Sequence, residues 1–151
     1  MRVGVIADTH GKVRPEALDA LEGTALILHA GDVGRGNVLE QLETIAPVMA
    51  IRGNIDREGP ASRLPDNRVV ECEGHSFYML HDVKTLDFEP EGRFDVVIAG
   101  HSHKPRNERV GQVLYFNPGS AGPRRFTLPV AVGFLDIAAG TVSGRIQILD
   151  V

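Results

Sequence analysis

Seven polar side chains in this sequence have the chemistry to bind metal ions, and each follows a short apolar segment. A chain with only six histidines places two of them, His101 and His103, on either side of one serine after the segment VVIAG. Mixed carboxylate and imidazole donors suit divalent transition metals, whereas Ca²⁺ and Mg²⁺ prefer oxygen ligands. The candidate site residues are Asp8, His10, Asp32, Asn54, His81, His101 and His103.

The apolar segments before these residues are predicted to be strands. They are short, rich in Val and Ile, and bounded by Gly, Pro, Asn and Asp. Ligands of open α/β sheets bind beyond the carboxyl ends of the strands, so six such ends on one edge would form one site. The predicted strands are 2–7, 25–30, 46–51, 68–72, 76–80, 94–99, 112–116, 130–137 and 141–149.

Two helices are predicted between the first three strands. Pro15 suits a first helical position and Gly23 a helix end, while Asn37 and Glu40 resemble a capping box. This alternation predicts parallel strands with right-handed crossovers. The later strands have shorter connections and are predicted to pair as hairpins, one of them turning at 138–140. Loops are expected at 57–67 and 84–93, and the fold class is α/β with two sheets.

Spacing within the strand ends gives further support for a site. Residues two apart in an extended chain point the same way, so Asp8 with His10, and His101 with His103, could each reach one point. Each residue taken singly has an ordinary alternative, because a strand-end Asp is commonly a turn former and a lone His a hydrogen-bonded boundary residue. The recurrence of such residues at six strand ends favours one common site. His29 and His75 do not follow this pattern and are not assigned to the site.

Composition limits the kind of protein. A chain of 151 residues corresponds to about one domain, spanning 1–151, and its single cysteine, Cys72, excludes an internal disulfide. The net charge of -4, without a basic block, argues against broad binding to nucleic acid. The N-terminus is too short for a signal peptide before Asp8, and no apolar segment is long enough for a membrane. We expect a soluble cytoplasmic protein.

The motifs DTH, GD, GNID, a lone His, GHSH and NPGS, in this order between Asp8 and Ser120, resemble the calcineurin-like metallophosphoesterase superfamily, most closely its small single-domain phosphodiesterase branch. The resemblance implies a four-layer α/β/β/α sandwich of two mixed β-sheets flanked by helices, with two bound metal ions. It assigns Asp8, His10, Asp32 and His103 to one ion. It assigns Asp32, Asn54, His81 and His101 to the other, so that Asp32 bridges.

The activity implied by the resemblance is that of a divalent-metal-dependent phosphodiesterase whose nucleophile is a hydroxide bridging the two metals. Manganese is the first choice of ion, with Fe, Zn, Co or Ni as alternatives. The expected substrate is a small phosphodiester or phosphoester. No membrane partner is expected, and a homo-oligomer is left open because members of the family form dimers or tetramers.

Several positions depart from the family pattern or have two interpretations. Ile55 stands where many relatives have a histidine that assists the leaving group, which predicts a preference for diesters over monoesters. Asp82 replaces a glycine beside His81. Its carboxylate could perturb the approach of the substrate or add a hydrogen bond to a site residue. Asp56 and the NPGS turn could each support the site or simply form turns. Arg124 and Arg125 are interpreted as surface residues.

Three other functions compete with the enzyme. One retromer subunit resembles this fold and works as a binding partner, so a metal-binding scaffold for protein interaction is the main alternative. A DNA nuclease of the same superfamily is disfavoured by Ile55, by the short chain and by the acidic charge. A nucleotide-binding module is disfavoured because no glycine-rich phosphate motif follows a strand.

Overall fold

The computed structural model describes residues 1–151 and contains two five-stranded mixed sheets. The first sheet has the order β10-β9-β1-β2-β3 and the second the order β4-β5-β6-β8-β7. The strands are β1 Arg2–Ile6, β2 Leu26–His29, β3 Val48–Ala50, β4 Asn67–Cys72, β5 His75–Leu80, β6 Val96–Ile98, β7 Arg106–Val110, β8 Val113–Asn117, β9 Ala131–Ala138 and β10 Thr141–Ile148.

The two sheets pack face to face over the main core. Val3, Val5 and Leu28 of the first sheet meet Phe77 and Phe116 of the second, all of them buried. Alternate side chains of a strand point to opposite faces, so Ile6, Ile27 and Phe134 point the other way. They pack under two short helices, α1 Pro15–Leu21 and α2 Val38–Glu43, which form the outer layer of the first sheet.

The outer layer of the second sheet contains no α-helix. A single 3₁₀ turn, Val83–Thr85, and a cluster of three aromatic rings cover this face. Tyr78 lies 5.0 Å from Phe88 and 5.1 Å from Phe94 between ring centroids, and the guanidinium of Arg93 stacks 4.6 Å from the centre of the Phe88 ring. The four-layer prediction is therefore confirmed, with a fourth layer reduced to this turn and cluster.

All nine predicted strands are present, but the topology prediction for the second half is partly wrong. β4 with β5, β7 with β8, and β9 with β10 form antiparallel pairs, as predicted for hairpins. β5, β6 and β8, however, run parallel to one another. The connection 81–95 is long enough for a crossover. The tenth strand, β7, was missed because its sequence RNERV is polar and it lies exposed at the sheet edge.

Both predicted helices and the predicted final turn are present. Gly23 has a φ of 85° directly after α1, and Ala139 and Gly140 have φ values of 54° and 76°, as a two-residue hairpin turn requires. The predicted capping box is wrong in detail, because Asn37 occupies the N-cap position without a side-chain hydrogen bond. No helix is both long and apolar enough to cross a membrane.

Candidate metal centre

All seven candidate residues lie in the loops that directly follow the parallel strands. Five of them adopt left-handed backbone conformations, with φ values between 52° and 69°. Residues other than glycine rarely adopt this conformation, which costs about 1–2 kcal/mol each. The chain is therefore not extended here. The two-residue spacing predicted from an extended chain does not explain why these side chains converge. The five residues are Asp8, His10, Asp32, His101 and His103.

The structure brings the seven side chains together as two adjacent groups of donors. Donor atoms of Asp8, His10 and His103 lie within 4.8 Å of one another, and so do those of Asp32, His81 and His101. His101 and His103, adjacent in the GHSH motif, thus belong to different groups.

Asp32 connects the two groups, and Asn54 adds to the second. The Oδ2 atom of Asp32 lies 3.7 Å from His10 Nε2 and 3.3 Å from His81 Nε2, which places this carboxylate between the groups. One polar atom of the Asn54 amide lies 3.1 Å from His81 Nε2 and 3.2 Å from His101 Nδ1. Asn54 therefore lies among the donors of the second group.

The carboxylate of Asp8 is fully buried and only half satisfied. Its Oδ2 atom accepts a hydrogen bond from the backbone N–H of His101 at 3.1 Å, whereas Oδ1 has no hydrogen-bond partner. Burial raises the pKa of Asp8 to about 7, although the charge of His81 opposes this shift. A buried carboxylate at neutral pH requires a compensating cation, and the protein supplies none in hydrogen-bond contact.

Two neighbouring histidines have pKa values shifted in opposite directions. Burial acts to lower the pKa of His81, but its contacts with Asp32 and with the Ala30 carbonyl group outweigh burial and raise it above the ordinary value. Burial, followed by the positive charge of Arg125, lowers the pKa of His103 to about 4, so this ring is neutral at pH 7. Nδ1 of His81 bonds the carbonyl oxygen of Ala30 at 2.7 Å, which directs Nε2 into the site. Nε2 of His10 and Nδ1 of His103 are buried and have no partner.

The donor set fits two divalent transition-metal ions. Four buried side-chain polar atoms in the whole chain lack a hydrogen-bond partner, and three of them belong to Asp8, His10 and His103. Buried polar atoms without partners are rare in native proteins and call for a specific explanation. Neutral imidazoles and ionised carboxylates are the forms that bind such ions.

A buried carboxylate holds two of the loops in place. Asp56 is 2% exposed and accepts three backbone hydrogen bonds, from Val33 at 3.0 Å, from Gly34 at 2.9 Å and from Gly53 at 2.9 Å. It therefore ties the loop that carries Asp32 to the turn that carries Asn54. Of the two interpretations left open for Asp56, the structure shows support of the site.

A second buried network ties the loop after β1 to the loop after β2. The Thr9 hydroxyl lies 3.0 Å from His29 Nε2 and donates to the carbonyl oxygen of Val33 at 2.9 Å. The Gly31 N–H donates to His29 Nδ1 at 3.2 Å, and burial lowers the pKa of His29 to about 4, which keeps the ring neutral. His29 is thus a structural residue outside the site, as the sequence predicted.

The NPGS turn supports the site from the second sheet. Asn117 donates to the carbonyl oxygen of Gly100 at 2.9 Å, which anchors the start of the GHSH loop. Ser120 donates to the carbonyl oxygen of Asp8 at 3.2 Å. The turn therefore connects the loops that carry Asp8, His101 and His103.

Close approach of the loops depends on glycine. A Cβ atom on Gly53 would lie 2.2 Å from the backbone nitrogen of Asp32, and one on Gly31 would lie 2.5 Å from His81 Nδ1. These two glycines therefore allow the loops to pack directly against one another.

The residues that depart from the family pattern lie at the edge of the candidate metal centre. The side chain of Ile55 is 42% exposed beside the centre. Asp82 caps the 3₁₀ turn by accepting from the Lys84 N–H at 3.0 Å, and its other oxygen is 3.7 Å from His101 Nε2, beyond hydrogen-bond range. Arg124 and Arg125 are exposed, as expected, yet the charge of Arg125 acts on Asp8 and His103.

Two open grooves border the centre. One, of about 600 Å³, begins at Asn54, His81 and His101 and continues past Tyr78 and Leu86. The other, of about 640 Å³, borders His10 and Ile55. The turn 53–57 separates them. The site is therefore accessible from both sides, and no domain or long loop covers it.

Comparison with known proteins agrees with this fold and site. A sequence model of the calcineurin-like phosphoesterase superfamily domain matches residues 1–140. A probable metallophosphoesterase of Methanothermobacter thermautotrophicus is 37% identical over 142 residues, covering 85% of this chain and 82% of the relative. Phosphodiesterase YfcE of Escherichia coli K12 is 30% identical over 165 residues, covering 90% and 88%. The chain belongs to the calcineurin-like phosphoesterase superfamily.

The fold is also shared with a solved structure of lower sequence identity. Vps29 of Entamoeba histolytica, whose crystal structure contains zinc, superimposes with a TM-score of 0.75 and 21% identity, covering 99% of this chain and 100% of Vps29. At this identity the likeness concerns the fold alone.

The support given by Asp56 leads to a first prediction. Asp56→Asn should lower the free energy of unfolding by about 2–4 kcal/mol, because an amide cannot accept all three buried N–H groups. The displaced loops should also weaken Mn²⁺ binding by about 10–100-fold. Urea denaturation and isothermal titration calorimetry measure the two effects. Asp66→Asn is the matched control, since Asp66 pairs with Arg52 at the surface. An equal loss in both variants would contradict the prediction.

The burial of Asp8 leads to a second prediction. In metal-free protein the ionised carboxylate is destabilising above pH 7, so Asp8→Asn should stabilise the fold there by about 2–4 kcal/mol. The gain should shrink as the pH falls from 7 towards 4, because the native carboxyl is then protonated. Thermal unfolding from pH 4 to 8 after chelation tests this. Added Mn²⁺ should stabilise the wild type more than Asp8→Asn, and a pH-independent difference would refute the assignment.

Proposed function

We propose that this chain is a divalent-metal-dependent phosphodiesterase, formed by a single domain over residues 1–151. The observation that carries the proposal is the buried, half-satisfied carboxylate of Asp8 beside two groups of donor atoms. The names of its relatives, metallophosphoesterase and phosphodiesterase, support the same activity.

The proposed ligand sets follow the two groups of donors. Asp8, His10, Asp32 and His103 would hold one ion, and manganese is our first choice. The second ion would be held by Asp32, Asn54, His81 and His101. Two such ions, when bound, would supply Lewis acidity, lowering the pKa of an attacking water and neutralising charge on phosphoryl oxygens.

The buried hydroxyl and thiol groups of the chain are not arranged as nucleophiles. The Ser120 and Thr9 hydroxyls are committed to backbone carbonyl groups, and Cys72 is buried among the core side chains between the sheets. Water is therefore the proposed attacking group. The chain's own contribution is to fix the donor atoms, to keep His103 neutral and to leave room for the substrate.

The groove beside His81 and His101 suits a substituent of a small phosphodiester. It is open and mostly polar, with Tyr78 and Leu86 as apolar surface. Ile55 at the rim cannot protonate a departing alcohol, so esters with good leaving groups are favoured. Diester monoanions also place less charge on the site than monoester dianions.

The alternative is a catalytically weak metal-binding scaffold that uses the fold for protein interaction. The likeness to Vps29 concerns the fold alone and does not decide between this alternative and the enzyme. The complete donor set, including Asn54 and all four histidines, favours the enzyme. Metal binding without turnover of any phosphodiester would support the scaffold.

A third prediction tests the activity directly. Metal-stripped protein should hydrolyse bis(p-nitrophenyl) phosphate only after Mn²⁺ is added, as measured by release of p-nitrophenol. Asp32→Asn and His101→Ala should each reduce the rate by at least about 100-fold, because both remove a proposed ligand. Asp136→Asn is the control and should retain the wild-type rate, because Asp136 pairs with Arg2 and lines neither groove. Near-normal turnover in either ligand variant would refute the two-metal assignment.

A fourth prediction concerns Ile55. The wild type should favour the diester over p-nitrophenyl phosphate, and Ile55→His should raise the monoester rate relative to the diester rate. The added imidazole would stand at the rim, where a leaving group departs. The ratio of the two kcat/KM values is the measurement, and an unchanged ratio would show that Ile55 does not set the preference.

A further inference from the structure

A small cavity lined by cations lies behind the loop that carries Asp8. Its volume is about 230 Å³, and it is lined by Lys12, Arg14, Gly122 and Pro123. The two segments that form and extend it, 11–15 and 121–126, contain four cationic residues and no acidic one. In a chain whose net charge is -4, this is a local concentration of positive charge that attracts anions.

The cations of this cavity lack acidic partners. Lys12 and Arg14 form no ion pair, as is true of most cations in the chain, whereas Arg2, Arg35, Arg52 and Arg106 each pair with a carboxylate. Arg14 donates once, to the carbonyl oxygen of Gly122 at 3.2 Å, and its Nε is buried without an acceptor. A guanidinium carries five N–H donors, so most of its hydrogen-bonding capacity is unused.

The cavity adjoins the proposed metal centre. A Cβ atom on Gly122 would lie 2.2 Å from the carbonyl oxygen of Asp8, so the cavity wall packs directly against the Asp8 loop. The Lys12 N–H donates to the carbonyl oxygen of Thr9 at 3.3 Å, which fixes the other wall to the same loop. Arg125, three residues after Gly122, exerts its positive charge on Asp8 and His103.

We propose that this cavity, lined by Lys12 and Arg14, binds a phosphate group that the substrate carries beyond its scissile bond. The binding of inorganic phosphate there is independent of catalysis, whereas the link to the substrate rests on the proposed function. A guanidinium fork with an adjacent ammonium matches the oxygens of one phosphate group. The preferred substrate is then a phosphodiester with a second phosphate, such as a nucleotide diester that is phosphorylated elsewhere.

The binding site is tested without metal. Inorganic phosphate is titrated into metal-free, ¹⁵N-labelled protein, in which the carboxylates of the centre repel anions. Saturable NMR shifts are expected at the amides of residues 11–14 and 122–125. Lys12→Ala and Arg14→Gln should each weaken this binding at least fivefold.

Two features keep this titration interpretable. Lys84→Ala is the matched control, because it removes one exposed positive charge beside the other groove and should leave phosphate binding unchanged. Lys12→Ala removes an exposed side chain and keeps the test valid even where Arg14→Gln disturbs the fold. Shifts spread over the surface, or equal affinity in wild type and both cavity variants, would overturn the anion site.

The substrate link is tested with a matched pair of chromogenic diesters. Thymidine 5′-(p-nitrophenyl phosphate) is compared with the same compound bearing a 3′-phosphate, both with Mn²⁺. The wild type should show at least a fivefold higher kcat/KM for the phosphorylated diester, and Lys12→Ala should bring the ratio close to one. A ratio that Lys12→Ala leaves unchanged would overturn the link. Failure to hydrolyse either diester would overturn the proposed function, and the phosphate titration would still decide the anion site.

Discussion

The burial of the Asp8 carboxylate is the constraint on which the site depends. One oxygen accepts the backbone N–H of His101, so this side chain joins the end of β1 in the first sheet to the loop after β6 in the second. The other oxygen has no protein partner, and burial raises the pKa of the group to about 7. Asp8 therefore joins the two sheets through one oxygen, while its other oxygen requires a positive charge between them.

The cost of this arrangement is offset by the structure around it. Five candidate ligands have left-handed backbone conformations, which the chain would not adopt without support. Asp56 supplies three buried hydrogen bonds beneath the Asp32 and Asn54 loops, and Thr9 with His29 joins the loops after β1 and β2. All of these side chains are buried. Their shared effect is to hold donor atoms at fixed separations before any ion binds.

Features that leave a pattern of apolar and polar residues could be predicted from the sequence, and features that depend on tertiary packing could not. Polar residues at the ends of Val- and Ile-rich segments identify strand ends, so the strands and the seven clustered side chains were predictable. The edge strand β7 was not, because an exposed strand with the sequence RNERV has no apolar pattern. The parallel pairing of β5, β6 and β8 depends on tertiary packing that segment lengths do not encode. The left-handed conformations could not be predicted from residue type alone, because Asp and His, although enriched among non-glycine residues with positive φ, adopt them at only a minority of their positions.

The surroundings of the centre carry opposite charges on its two sides. In the large groove Arg52 is neutralised by Asp66, while Asp82 and Asp87 add negative charge near the second group of donors. Behind the first group, Lys12 and Arg14 have no acidic partner. A symmetric diester gains nothing from this difference, because its two substituents are equivalent. If the proposed anion site takes part in substrate binding, a diester with one anionic and one neutral substituent would be held in a single orientation, with the anion on the Lys12 side. The asymmetry of charge, more than the metal ligands, is therefore what could distinguish substrates.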